Sequence, residues 1–178
     1  MAGVVKYFVP LSINGQIYKF LHLNPTAVDL LGHGLEGGNL RVRISYRSHV
    51  FSASQKPTEA FVKLKDEQNN DRYFCLTRYK LSKKIPVMCK QMLEQNGKTW
   101  ISQDNKQASN LAVIDSQHTD GDHDVIFYSL FPSKVDGLDV EMVVKSAFNK
   151  YIKFSNIERK YGVRQQVKTC FFKNKSVP

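Results

Sequence analysis

Two apolar runs, "DVIFYSLF" at 124–131 and "LDVEMVVKSAF" at 138–148, restrict what this chain can become. In the second, Leu138, Val140, Met142 and Val144 recur at every other position, the period of a strand with one buried face. The connection between the runs closes on the turn pair Asp136-Gly137, so they read as neighbouring antiparallel strands. A sheet is the skeleton, and everything else has to pack against it.

Other stretches agree. "VVKYFVPLSINGQIYKFLHL" at 4–23 sets two β-prone segments around Asn14-Gly15, a pair whose tolerance of positive φ makes it a strong hairpin signal. "EAFVKLK", "KTWISQ" and "NLAVID" add short strands, and residues 24–40, with glycines at 32, 34, 37 and 38, read as a helical turn and a loop. Helical spacing occurs at Leu81, Ile85, Met88 and Met92, ending at Asn96-Gly97. Pro86 belongs in a first turn, which places the helix start near 82–85. The expected fold is α+β: an antiparallel sheet with one main packed helix and an N-terminal hairpin. At 178 residues it forms a single domain, with 1–152 as the core and 153–178 as a basic, aromatic extension partly docked through a short helix and a strand.

Cys75, Cys89 and Cys170 are scattered and form no C-x-x-C pair, so free thiols in a reducing compartment are expected, with no structural zinc. No apolar run reaches membrane-spanning length and the first residues lack a secretory signal, so a cytoplasmic location is expected.

Charge separates the functional classes. The net charge is +10, and it is uneven: residues 41–90 hold twelve cations against four acids, 150–178 eight against one, and 91–149 four against nine. Two concentrated basic blocks favour a polyanionic partner over a merely soluble surface. In "RVRISYRSHVFSAS" at 41–54, an extended chain puts Arg41, Arg43, Ser45, Arg47 and His49 on one face and Val42, Ile44, Tyr46 and Val50 on the other. Arg72, Arg78, Lys80, Lys83 and Lys84 form a second cluster. The tail adds Arg159, Lys160 and Arg164 among aromatic residues. Cations for phosphates and aromatic faces for unstacked bases are the composition of a nucleic-acid surface, RNA more than DNA. An acidic protein, such as an antitoxin, is the other partner this charge accommodates.

A histidine ending an arginine row suits a general base near neutral pH. Metal-free RNA cleavage asks for a base on the 2′-hydroxyl and cations on the phosphorane, and His49, assisted by Arg47, Arg78 and Tyr79, supplies those types. "DSQHTDGDHD" at 115–124 is rich in metal-ligating residue types, but its spacing fits neither an EF-hand loop nor a zincin helix, and it reads as a hairpin loop turning at Asp120-Gly121. No metal or cofactor is expected.

The stretches His22-Leu23, Ser48–Phe51 and Arg72–Pro86 resemble a functionally uncharacterised family of small bacterial and mobile-element proteins. The order of helix, antiparallel strands and a last strand over 75–152 is similar to the RelE-like toxin superfamily, small basic proteins that cleave RNA without metal. The acidic 91–149 block departs from that pattern. The resemblance implies a metal-independent endoribonuclease of toxin type. The alternative is a non-catalytic module that binds nucleic acid or an acidic protein.

Overall fold

A computed structural model of the chain describes residues 7–56, 62–102, 109–114, 118–159 and 161–178. Its centre is the hairpin expected from the two apolar runs: β10 (Gly121–Pro132) and β11 (Val140–Ile152) pair antiparallel along their whole length. The register shifts between Phe127 and Tyr128, which leaves Lys145 as the extra residue of a β-bulge. Beyond β10 lie β9 (Ser109–Val113), β8 (Trp100–Ser102) and β12 (Glu158–Arg159); beyond β11 lie β4 (Leu40–Tyr46) and β3 (Thr26–Leu30). β4 runs parallel to β11, so the sheet is mixed and not wholly antiparallel. Residues 24–40 are corrected by β3: Val28 and Leu30 point inward from a strand where a helical turn was expected.

One face of this sheet carries the main core. Val42, Ile44 and Tyr46 of β4 meet Ile126, Tyr128 and Leu130 of β10 and Met142 and Val144 of β11, all buried. The alternation that predicted β4 is the physical cause, since period two delivers every second side chain to the same side. Two helices cover this face: α2 (Ile85–Glu94) buries Ile85, Met88, Cys89, Met92 and Leu93, and α3 (Val163–Phe172) buries Val163, Val167 and Cys170. Each large apolar side chain removed from water this way is worth about 1.5–3 kcal/mol. α2 starts with Pro86 in its first turn and stops where Asn96 adopts a left-handed φ of 54° and the Gly97 N–H returns to the Met92 carbonyl at 2.8 Å. α3 and Val177, whose backbone pairs with Leu130, make the tail part of the same core. A smaller cluster of Trp100, Leu111, Val125, Phe127 and Ile152 fills the other face.

The N-terminal hairpin is β1 (Leu11–Ile13) and β2 (Gln16–Tyr18), joined by Asn14 and Gly15, both at positive φ (49° and 77°). That is the two-residue turn this dipeptide favours. The cysteines are free, and burial pushes the thiols of Cys89 and Cys170 up to about 12. Among the described residues no helix is long and apolar enough to cross a membrane.

On β11, β4 pairs with Val140–Val144, and among the described residues no strand pairs with that edge from Lys145 onward. The chain leaving β4 occupies this space. It makes a 3-10 turn at Ser48–Val50 and enters a second sheet, β5 (Ser52–Ala53), β7 (Asp71–Phe74) and β6 (Lys63–Lys65), in the order β5-β7-β6. A short helix, α1 (Leu76–Ser82), follows β7 and lies against β11. The main helix expected from 82–85 onward is α2; α1 is an additional helix that precedes it, separated from it at 83–84 and facing the open edge.

Candidate nucleic-acid cleft

His49 sits in the middle of the 3-10 turn, and the loop between β6 and β7 grips that turn at two points. Glu67 accepts from the Ser48 N–H at 2.9 Å and from its hydroxyl at 3.2 Å. Asp66 Oδ2 takes the Nε2 of His49 at 2.9 Å. Asp66 is almost fully enclosed, its side chain 3% exposed, while that of His49 is 31% exposed. Burial opposes ionisation of Asp66. Hydrogen bonds from His49, from the N–H groups of Asn70 and Gln68 and from the Asn70 amide outweigh it, holding the carboxyl well below the usual carboxylate range. An ionised carboxylate only accepts, so Nε2 carries the hydrogen and Nδ1 is the basic atom of the neutral ring.

Two arginines brace the same turn. Arg78 Nη1 donates to the carbonyls of His49 at 3.1 Å and Ser52 at 3.0 Å, with its guanidinium 4.8 Å above the Phe148 ring of β11. Arg72 Nη2 donates to the Ser52 carbonyl at 3.0 Å. Desolvation lowers the pKa of both, and for Arg78 the Arg72 charge adds to it. Arg47, half-buried, directly follows β4 with its N–H on the Val144 carbonyl at 3.0 Å. Its charge, after burial, depresses the pKa of the bulge residue Lys145.

Between α1 and the open edge of β11 lies a cleft of about 430 Å³. Arg78, Lys80 and Lys84 enter from the helical side, and Phe148, Asn149 and Asp124 from the sheet. Larger hollows of about 510 and 780 Å³ lie around β8, β12 and α3, away from His49. Shape alone favours those. Chemistry favours the smaller cleft, which is lined by exposed cations and joined to the histidine turn through Arg78, although His49 and Asp66 themselves are not among its lining residues.

Other expected residues separate from this site. Tyr79 is buried in the core, edge-on to Tyr18 and Phe20, with its hydroxyl donating to the Lys19 carbonyl at 3.0 Å, so the catalytic role expected for it is withdrawn. Arg43 is also withdrawn as a phosphate ligand. Its Nη2 lies 3.0 Å from Glu141 Oε1, and the two side chains are 17% and 2% exposed. Arg41 is exposed but 3.7 Å from Asp29 at the far end of β4, and Lys83 lies over the Tyr79 ring at 5.0 Å. Arg159 pairs through its backbone with Trp100 in β12, and Lys160 lies outside the described residues. The acid-rich loop is only partly described: His123 is buried against the Thr119 carbonyl at 2.7 Å, and Asp120 accepts from the Phe154 N–H at 2.9 Å.

Arg164 acts as a helix cap. Its Nε donates to the Leu93 carbonyl at 2.8 Å and its Nη2 to that of Glu94, the last acceptors of α2. Arg164→Ala should therefore cost about 1 kcal/mol of stability, read by urea unfolding, and leave affinity for any nucleic acid unchanged.

Residues 10–174 match the model of the YjaZ family. The chain belongs to the YjaZ family. The match runs from the N-terminal hairpin through α3, and the His22-Leu23, Ser48–Phe51 and Arg72–Pro86 stretches all lie inside it. No curated protein and no solved structure matches the chain. Sequence reasoning missed Asp66, Glu67, Phe148 and Asn149, whose local pattern does not mark them, and read Asp124 only as the end of the acid-rich 115–124 stretch; the fold brings these residues in from separate hairpins.

Proposed function

We propose that the protein binds single-stranded RNA in the cleft between α1 and β11 and cleaves it with His49 as general base. The observation that carries this is Arg78, which lines the cationic cleft and donates to the carbonyl of His49, the residue that Asp66 holds. Lys80 and Lys84 are exposed and suit backbone phosphates. Asp66 fixes the ring so that Nδ1 takes the proton of a 2′-hydroxyl as its oxygen attacks the adjacent phosphorus. Arg78, Lys80 and Lys84 offset the charge that grows on the phosphorane, and solvent at the open mouth protonates the leaving 5′ oxygen. This is the metal-independent chemistry of small basic toxins, and the likeness to RelE-like proteins enters only as that shared chemistry.

Purified protein should cleave an unstructured RNA in EDTA and should bind a 2′-fluoro analogue that lacks the attacking hydroxyl. Lys80→Gln with Lys84→Gln should lower the slope of log affinity against log salt by about 0.7 for each phosphate that is no longer neutralised. Binding without cleavage would reduce the protein to a binding module; neither binding nor cleavage removes the proposal altogether.

A further inference from the structure

The cleft contains one residue that phosphate binding does not explain. Asp124 of β10 lines it beside Arg78, Lys80 and Lys84, and it is the one acid among the described lining residues. A carboxylate there repels phosphate, so a cleft built only for backbone contacts gains nothing from it. Asp124 stands directly opposite Asn149 in the β10–β11 ladder, and the Asn149 amide donates to Asp124 Oδ1 at 3.3 Å, which fixes the carboxylate's orientation. Phe148, the neighbour of Asn149 on β11 and on the other face of that strand, carries the Arg78 guanidinium 4.8 Å above its ring, and Arg78 lines the same cleft as Asp124. A planar guanidinium accepts a base face as an aromatic ring does.

Resting on the RNA reading above, we infer that this part of the cleft recognises one unpaired guanine, stacked on Arg78 with its Watson–Crick edge toward Asp124. The reasoning is a count of donors. An ionised carboxylate presents two acceptors and no donor. Guanine offers two adjacent donors on one edge, N1–H and the N2 amine. Adenine and cytosine offer one amine beside a ring acceptor, and uracil one N–H between two carbonyls, so each of these sets an acceptor against a carboxylate oxygen.

The test is binding of 2′-fluoro hexanucleotides that are uracil throughout except for one position carrying guanine, hypoxanthine, adenine or cytosine, followed by fluorescence anisotropy. Guanine should bind at least about 10-fold more tightly than adenine or cytosine, within the range a bidentate base contact gives. Hypoxanthine, which lacks the N2 amine, should fall between. Asp124→Asn should erase the preference without weakening the all-uracil oligomer, whose affinity comes from phosphates and gains from losing a like charge. Equal affinity for guanine and adenine in the unaltered protein, or a preference that survives Asp124→Asn, overturns the inference. Failure of every oligomer to bind instead overturns the RNA reading on which it rests.

Discussion

His49→Ala should cut RNA cleavage by about 100-fold or more, the usual contribution of a general base, while changing affinity for the uncleavable analogue by less than about 2-fold. The separation follows from geometry. The ring is held from one side by Asp66 and the turn beneath it by Glu67, whereas Lys80 and Lys84, the cations proposed to meet phosphate, lie elsewhere, at and just beyond α1. Asp66→Asn tests the positioning half of the pair. An amide in that place can donate to Nε2, moving the ring hydrogen to Nδ1 and removing the basic atom, so cleavage should fall almost as far although His49 is still present. A second readout distinguishes this from simple damage. The folded pKa of Asp66 lies below its unfolded value of about 3.9, so its stabilisation is complete above that pH and is lost as pH falls through the folded value. Asp66→Asn should therefore flatten the acid limb of the stability curve. A variant that keeps both full cleavage and the acid limb would show that the pair does nothing beyond packing.

The parts of this fold that were legible in the sequence are those whose cause is local. Asn14-Gly15 gives its hairpin because both residues accept positive φ, and Pro86 with Asn96-Gly97 brackets α2 because proline suits a first turn and asparagine a left-handed stop. β3 was missed because its five residues sit between Pro25 and a glycine-rich stretch that outweighs a strand so short. α1 was missed because its buried residues, Tyr79, Leu81 and Ser82, form no helical stripe; the helix is held by what surrounds it. The site divides in the same way. His49, Arg78, Lys80 and Lys84 stand out by residue type, but the partner that turns His49 into a candidate base is seventeen positions away across a hairpin, and Asp124 faces α1 only once β10 and β11 have paired. The cationic ladder read from alternation along β4 holds as a face but not as a function, because a parallel neighbour places Glu141 directly beside Arg43.

That last pairing predicts a large effect on stability. Arg43→Ala should destabilise the protein by about 3–5 kcal/mol, a fall in Tm of order 10 °C, because it strands the Glu141 carboxylate inside the protein. Glu141 is 1% exposed; its Oε1 has the Arg43 guanidinium at 3.0 Å and the Ser133 hydroxyl at 3.3 Å, while its Oε2 has no hydrogen-bond partner among the described residues. Arg43 Nε is buried without a partner as well. A pair satisfied this incompletely recovers little of its desolvation cost, so its net worth is small even though breaking it is expensive. Replacing both members with apolar residues of similar volume, Arg43→Met with Glu141→Leu, should accordingly restore stability to within about 1 kcal/mol of the starting protein. Urea unfolding of the two single variants and the double variant closes the cycle. If Arg43→Ala is neutral, the pair is wetter than its burial states and Arg43 returns to the set of cations open to an RNA phosphate. If the single variant is costly, the double variant is stable and RNA affinity is unchanged in it, the strand face is structural at Arg43, and the nucleic-acid surface is confined to the cleft.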